Sequence, residues 1–470
     1  MTMIERGAKV DQVVVILADG ARPDMIQSLA SRGDLPEISN LFLQTDPSVP
    51  IASTVFPSTT GPAHLPFLTG MFPGPCNVPG IRWFDPKCFA ERWFSLHRFR
   101  SYMWLGGWLL NSDIRRDVKT LFQHIPDHAS IANMITRGVG RGRNLTRLDK
   151  PLYNIKSFFA EEWAGFDRLA ARRAVQAIHA KRKLVYAAFY ETDSHCHKFG
   201  ATHERTMDAY RRIDKIVGEI SKAIAEEGKQ ESTLVAMVSD HGASDTSHHL
   251  DLAGLVERTV GRCLAHPLVW HGWLSAKAAV MVSGNAMAHV YLCGRRGSAA
   301  ERPAIDAPSD DMNRLISALL EQPGVDLLAG RTSDGGVQIL SQRGRGKISR
   351  SAASLSYQHE GQDPLDGSGT SAEGSYPDAI AQLAQLMTSP RAGDLVVSAA
   401  LGWDLRAKFE KPRHVGSHGS LHREHMATLF LLNAGLKSGP YRTVDLMPTL
   451  LDALGQPVPT GLDGRTLWLP

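Results

Sequence analysis

The stretch Val13-Val14-Val15-Ile16-Leu17-Ala18-Asp19-Gly20 joins six apolar, mostly β-branched residues to a carboxylate and a glycine. A run that short and apolar at every position is expected to be a strand buried on both faces. Pro23 follows and suits the first turn of a helix reaching toward Leu29. Similar runs recur at 184–189, 233–238, 395–399 and 427–432. Between them lie helical segments, clearest at 205–226, where Met207, Tyr210, Ile213, Val217, Ile220 and Ile224 recur at spacings of three and four. Doubly buried strands alternating with helices predict an α/β fold, a mostly parallel central sheet sandwiched by helices.

In such sheets ligands bind beyond the carboxyl ends of the strands. The first run ends in Asp19, the second in Glu191-Thr192-Asp193 and the third in Asp240-His241-Gly242. Three strand ends therefore carry carboxylates toward one rim. Asp193-x-x-x-His197 places a carboxylate and an imidazole one helical turn apart, a metal-ligand spacing that, taken alone, more often marks a surface pair. Asp240 and His241 share a strand tip, and Gly242 permits a tight exit. Far downstream, His414-Val415-Gly416-Ser417-His418-Gly419-Ser420 offers histidines in a glycine-flanked loop, with His422 and His425 behind it. Upstream, Phe56-Pro57-Ser58-Thr59-Thr60-Gly61-Pro62-Ala63-His64 sets three hydroxyls before a helix-like stretch. That setting suits either a helix cap or an exposed nucleophile near a phosphate.

Composition bounds the rest. The 470 residues are 43% hydrophobic and 21% charged, a folded profile long enough for one large domain with insertions. With 52 Lys+Arg against 48 Asp+Glu the net charge is +4, which does not favour a nucleic-acid polymer as partner. The 19 histidines invite metal or acid–base chemistry. Five scattered cysteines without a C-x-x-C pair argue against a disulfide framework, and the first apolar run is too short for a signal peptide or membrane span. A cytoplasmic protein is expected, with no need of membrane association. Two segments read as insertions in a domain spanning 10–470. Residues 82–111 carry Trp83, Trp93, Trp104 and Trp108 among several arginines, which suits a cap over a site or a satellite aromatic cluster. Residues 250–373 form a second, irregular insertion, ending in a Ser/Gly-rich stretch at 343–376 that reads as a long loop or irregular hairpin.

Taken in order, Val-x-x-Leu-Ala-Asp19-Gly, Phe56-Pro-Ser-x-Thr60-x-Pro-Ala-His64, Leu68-Thr69-Gly70, Asp193-x-x-x-His197, Asp240-His241-Gly242 and His418-Gly419 resemble the alkaline phosphatase superfamily. Within it, the type I phosphodiesterase and nucleotide pyrophosphatase branch is most similar. The resemblance implies an alkaline phosphatase-like fold and two zinc ions. It assigns Asp19, Asp240 and His241, with the Thr60 oxygen, to one zinc, and Asp193, His197 and His418 to the other. It also implies that Thr60 is the nucleophile, forming a phosphothreonyl intermediate on a small-molecule phosphodiester or nucleotide pyrophosphate.

One departure bears on the substrate. In nucleotide pyrophosphatases an Asn of a Phe-Pro-Asn-His sequence donates to a phosphoryl oxygen, whereas Ala63 stands at that position here. The missing donor is expected from the Thr60 backbone, from zinc, or from Arg98 or Arg100 in the insertion. A sulfatase is disfavoured because neither Cys76 nor Cys88 lies in a C-x-P-x-R motif. Phosphonoacetate hydrolase-like or phosphomonoesterase activity is the alternative within enzymes. A metal-stabilised binding protein without catalysis is the alternative outside them.

Overall fold

A computed structural model describes residues 4, 8–91, 99–149, 163–266, 275–293, 302–351, 354–369, 373–407, 410 and 413–469. Its central sheet has seven strands in the spatial order Tyr441–Arg442, Ile51–Ser53, Ala427–Leu432, Thr233–Val238, Gln12–Ala18, Leu184–Phe189 and His128–Ile131. The first predicted strand is the centre of the fold. It runs parallel to both neighbours, with Val13 level with Leu184 on one side and Leu234 on the other. All residues of these three strands are buried, which is why each reads as an unbroken apolar run. Ala427–Leu432 pairs antiparallel with Thr233–Val238, so the sheet is parallel at its centre and mixed toward one edge.

Helix Glu204–Glu226 buries Met207, Tyr210, Ile213, Val217, Ile220 and Ile224, the expected stripe, in the same core as the central strands. The His203 side chain caps it by accepting from the Arg205 N–H.

Leu395–Ala399 is the exception among the apolar runs. It belongs to a second sheet of eight strands, ordered Cys263–Ala265, Ala278–Ser283, Met287–Leu292, Leu395–Ala399, Val325–Arg331, Val337–Leu340, Gly344–Arg350 and Leu355–Gly361. Only the first pair is parallel. A doubly buried strand has one sequence signature whichever sheet it joins. The second sheet thus continues to Ala399, beyond residue 373. Within 343–376 lies a regular hairpin, Gly344–Arg350 against Leu355–Gly361 in unbroken register. Its outer strand is mostly exposed, so no apolar alternation marks it.

Within 82–111, Arg82–Phe84 pairs with Phe99–Ser101, and Phe84 and Phe89 pack against Leu264, Met281 and Tyr291 of the second sheet. Trp83 is buried there. Its Nε1 donates to the Tyr102 hydroxyl at 2.8 Å, and the Arg391 guanidinium lies 4.2 Å from its ring centroid. That ring cannot stack on a ligand. Trp108 is 71% exposed. Trp93, Arg92 and Arg98 lie outside the described residues. Among the described residues no helix is long and apolar enough to cross a membrane.

Candidate active site

Three strand tips and two loops converge at the carboxyl edge of the central sheet. Asp19 follows Gln12–Ala18 directly, and Gly20 turns the chain with φ of 68°. A Cβ on Gly20 would lie 2.9 Å from the Cβ of Asp193, and the Gly20 N–H donates to Asp240 Oδ1 at 3.2 Å. This glycine therefore lets all three carboxylates crowd together.

Asp193 and His197 stand one turn apart on helix Glu191–Phe199, with His197 Nε2 3.5 Å from Asp193 Oδ2. The helix start is fixed by the buried Asp167 carboxylate, which accepts from the Tyr190 and Glu191 N–H groups at 3.0 and 2.9 Å. Burial pushes the Asp167 carboxyl up to about 7. The loop carrying His418 is pinned by Gly416–Ser417 pairing with Ser244–Asp245 and by bridges from Ser58 to Gly419 and from Asn285 to His418.

The result is two groups of possible metal ligands among the described residues, Asp19/Asp240/His241 and Asp193/His197/His418. In each, ligand atoms lie within 4.8 Å of one another. His241 Nε2 is 3.4 Å from both Asp19 Oδ1 and Asp240 Oδ2, and His418 Nε2 is 3.8 Å from Asp193 Oδ1. Each imidazole donates its Nδ1–H to a backbone carbonyl: His197 to Gly416 at 2.9 Å, His418 to Ser58 at 2.9 Å and His241 to Gly242 at 3.1 Å. That fixes the tautomer and leaves every Nε2 lone pair facing inward, the outer-shell arrangement of metal-binding histidines.

The donor set passes a further test. Asp19 Oδ2 and Asp193 Oδ1 are buried without a hydrogen-bond donor. The Nε2 atoms of His197 and His418 confront each other at 3.1 Å with their protons committed elsewhere. Buried carboxylate oxygens and opposed lone pairs are costly by themselves and suit a divalent cation between them. The electrostatics agree. Burial, then Asp240 and Asp193, drives the Asp19 carboxyl well above its ordinary range. Burial, His241 and His197 hold His418 far below the usual imidazole range, so it is neutral.

Of the three hydroxyls before His64, Thr60 reaches this centre. Its Oγ1 is 3.1 Å from His241 Nε2 and 3.4 Å from Asp19 Oδ1. The Ser58 hydroxyl donates away, to the Ser420 carbonyl at 3.0 Å.

Arg100 does not present its guanidinium to a ligand. It is 4% exposed and pairs with Asp113 through Nε to Oδ2 at 2.6 Å, because a cation buried beside Trp83 requires a carboxylate. The other expected donor, Arg98, lies outside the described residues.

Two histidines gain importance from the structure. His64, which in the sequence only marked the register of the threonine motif, is fully buried with Nε2 3.2 Å from Asp240 Oδ2 and 3.7 Å from Asp19 Oδ2. As the one titratable residue within apolar 61–70, it carried a signal, since a buried imidazole needs a polar neighbour. The His414 ring lies against His197 with centroids 4.5 Å apart and planes tilted by 40°. His425 is a structural link, its ring nitrogens bonded to the Ser244 and Ser420 hydroxyls at 2.8 and 2.7 Å. His422 contacts Asp326 at 3.2 Å, and His248 and His249 are exposed.

Carboxylates, inward-facing imidazoles and one hydroxyl on the rim of a helix-flanked sheet suit metal-assisted phosphoric-ester hydrolysis. The chain belongs to the type I phosphodiesterase/nucleotide pyrophosphatase family, whose model matches residues 13–421. A search among curated protein sequences finds no match. Solved structures resemble it in fold. Phosphonoacetate hydrolase from Sinorhizobium meliloti 1021, in complex with phosphonoacetate, has a TM-score of 0.61 at 15% identity, covering 97% of this chain and 100% of that one. Its complex with phosphonoformate gives 0.60 at the same identity and coverage. Murine ectonucleotide pyrophosphatase/phosphodiesterase 5, as an inactive variant in complex with AMP, gives 0.54 at 14% identity, covering 96% of each chain.

Proposed function

We propose that this protein hydrolyses a small-molecule phosphodiester or nucleotide pyrophosphate, with Thr60 as nucleophile and two zinc ions as cofactors. The observation that carries the reading is the Thr60 hydroxyl, 3.1 Å from His241 and 3.4 Å from Asp19 within one of two adjacent ligand groups. Asp19, Asp240 and His241 would hold one zinc and Asp193, His197 and His418 the other. Zinc at such sites lowers the pKa of an attacking hydroxyl and neutralises charge on phosphoryl oxygens. The Thr60 Oγ passes its proton to solvent water and bonds to phosphorus. The P–O bond to the leaving group breaks, and its electron pair departs on the leaving oxygen. Water then cleaves the phosphothreonyl ester and restores the Thr60 hydroxyl.

Ala63, fully buried beside the nucleophile turn, supplies no side-chain donor to a phosphoryl oxygen. This favours a second reading, phosphonoacetate hydrolase-like or phosphomonoesterase activity, at the same centre. Five free thiols suit work in the reducing cytoplasm. Hydrolysis of a chromogenic phosphodiester beside the matching monoester and of phosphonoacetate by zinc-loaded protein separates these readings. Diester preference supports the first and monoester or phosphonate preference the second. Stoichiometric zinc without turnover of any of them favours a binding protein.

A further inference from the structure

We propose that His414, held by Asn285, is a substrate-contacting hydrogen-bond donor at the Asp193/His197/His418 end of the site. The inference rests on the phosphoryl-transfer reading and names the donor that neither Ala63 nor Arg100 supplies.

His414 lies in the same loop as His418, and its ring packs against that of His197. Asn285 Nδ2 donates to His414 Nδ1 at 2.8 Å. With Nδ1 accepting, the ring proton sits on Nε2. Among the described residues no partner takes up Nε2, and it is not shut away from solvent. Asn285 is itself rigidly placed. It adopts φ of 71°, its carbonyl accepts from the Leu405 N–H at 2.8 Å, and it bridges to His418. Its positive φ belongs to the hairpin turn between Ala278–Ser283 and Met287–Leu292, a position that suits asparagine. The donor is therefore oriented before any ligand arrives, which is what stabilising developing charge requires.

The two guanidiniums whose charge falls on His414, those of Arg82 and Arg406, each hold a carboxylate. Arg82 Nη1 is paired with Glu410 at 3.0 Å, and Arg406 Nε with Asp404 at 2.8 Å. A phosphoryl oxygen held near His197 and His418 thus finds its protein donor in the Nε2–H of His414.

The test is calorimetric titration of zinc-loaded wild type, H414A, H414Q and N285A with inorganic phosphate, alongside zinc content by mass spectrometry. Loss of the donor in H414A is expected to weaken phosphate binding about tenfold, with zinc content unchanged, partial recovery in H414Q and a smaller loss in N285A. Unchanged phosphate affinity in H414A overturns the proposal. So does loss of zinc in H414A, which makes the residue a ligand, and so does failure of the wild type to bind phosphate. A wild type that binds phosphate through His414 but turns over no ester defeats the hydrolase reading and leaves this one standing.

Discussion

The imidazoles of His241 and His418 stack with centroids 3.7 Å apart and planes 12° from parallel. One comes from each ligand group, so the two groups touch through these rings and cannot be charged independently. A proton on either ring raises the cost of one on the other. His418→Ala is expected to lower bound zinc from two ions to one and to weaken the remaining site. Zinc content by mass spectrometry, with the melting temperature measured with and without chelator, checks it.

His64→Asn should leave the fold intact but loosen the carboxylate of Asp240, which His64 contacts at 3.2 Å. Loss of an outer-shell partner of a metal ligand typically weakens metal binding by about 10- to 100-fold. Competition with a fluorescent zinc chelator measures the change, and an unaltered affinity would show that His64 only fills space.

Gly20→Ala places a methyl group 2.9 Å from the Cβ of Asp193 at a backbone φ of 68°. Strain of this kind costs about 1–3 kcal/mol. Because the clash falls on Asp193, a proposed metal ligand, zinc affinity should drop along with stability, as denaturant unfolding and zinc titration together would reveal.

Arg100→Ala separates structure from catalysis in the 82–111 insertion. Removing a buried partner of Asp113 is expected to destabilise the protein by about 3–5 kcal/mol, while kcat/KM per folded molecule stays at the wild-type level. A selective rise in KM would instead return Arg100 to the substrate site.

His289 makes stability acid-sensitive. It is buried in the second sheet, where its Nε2–H donates to the Pro79 carbonyl at 2.9 Å and its Nδ1 accepts from the Gly393 N–H at 3.1 Å. Burial pushes its pKa down to about 3, so the unfolded chain binds the proton first as pH falls below the ordinary imidazole value. Stability is full above about pH 6.5 and is expected to decline by about 3 kcal/mol on the way to pH 4 through this group. In His289→Asn the slope of unfolding free energy against pH over that window should be shallower by up to about one proton.

The centre of the molecule was legible because doubly buried strands and strand-end carboxylates announce themselves within a few residues. Gln12–Ala18, Leu184–Phe189 and Thr233–Val238 stand where their apolar runs predicted, each delivering its acidic residue to the rim. The sheet to which Leu395–Ala399 belongs was not legible, since strand pairing is decided by partners far away in sequence. The surroundings of Arg100 were not legible for a similar reason: its partner Asp113 and the ring of Trp83 are brought to it only by tertiary packing. His414 and Asn285 are 129 positions apart, and only folding reveals that one orients the other.

The central claim is that Thr60 attacks phosphorus from the Asp19/Asp240/His241 group. Its most direct test is turnover of bis(4-nitrophenyl) phosphate by zinc-loaded wild type and Thr60→Ala, with zinc content measured on the same samples. The account predicts a loss of roughly a thousandfold or more in kcat with zinc and melting temperature preserved. Wild-type turnover in the zinc-loaded Thr60→Ala protein would contradict it.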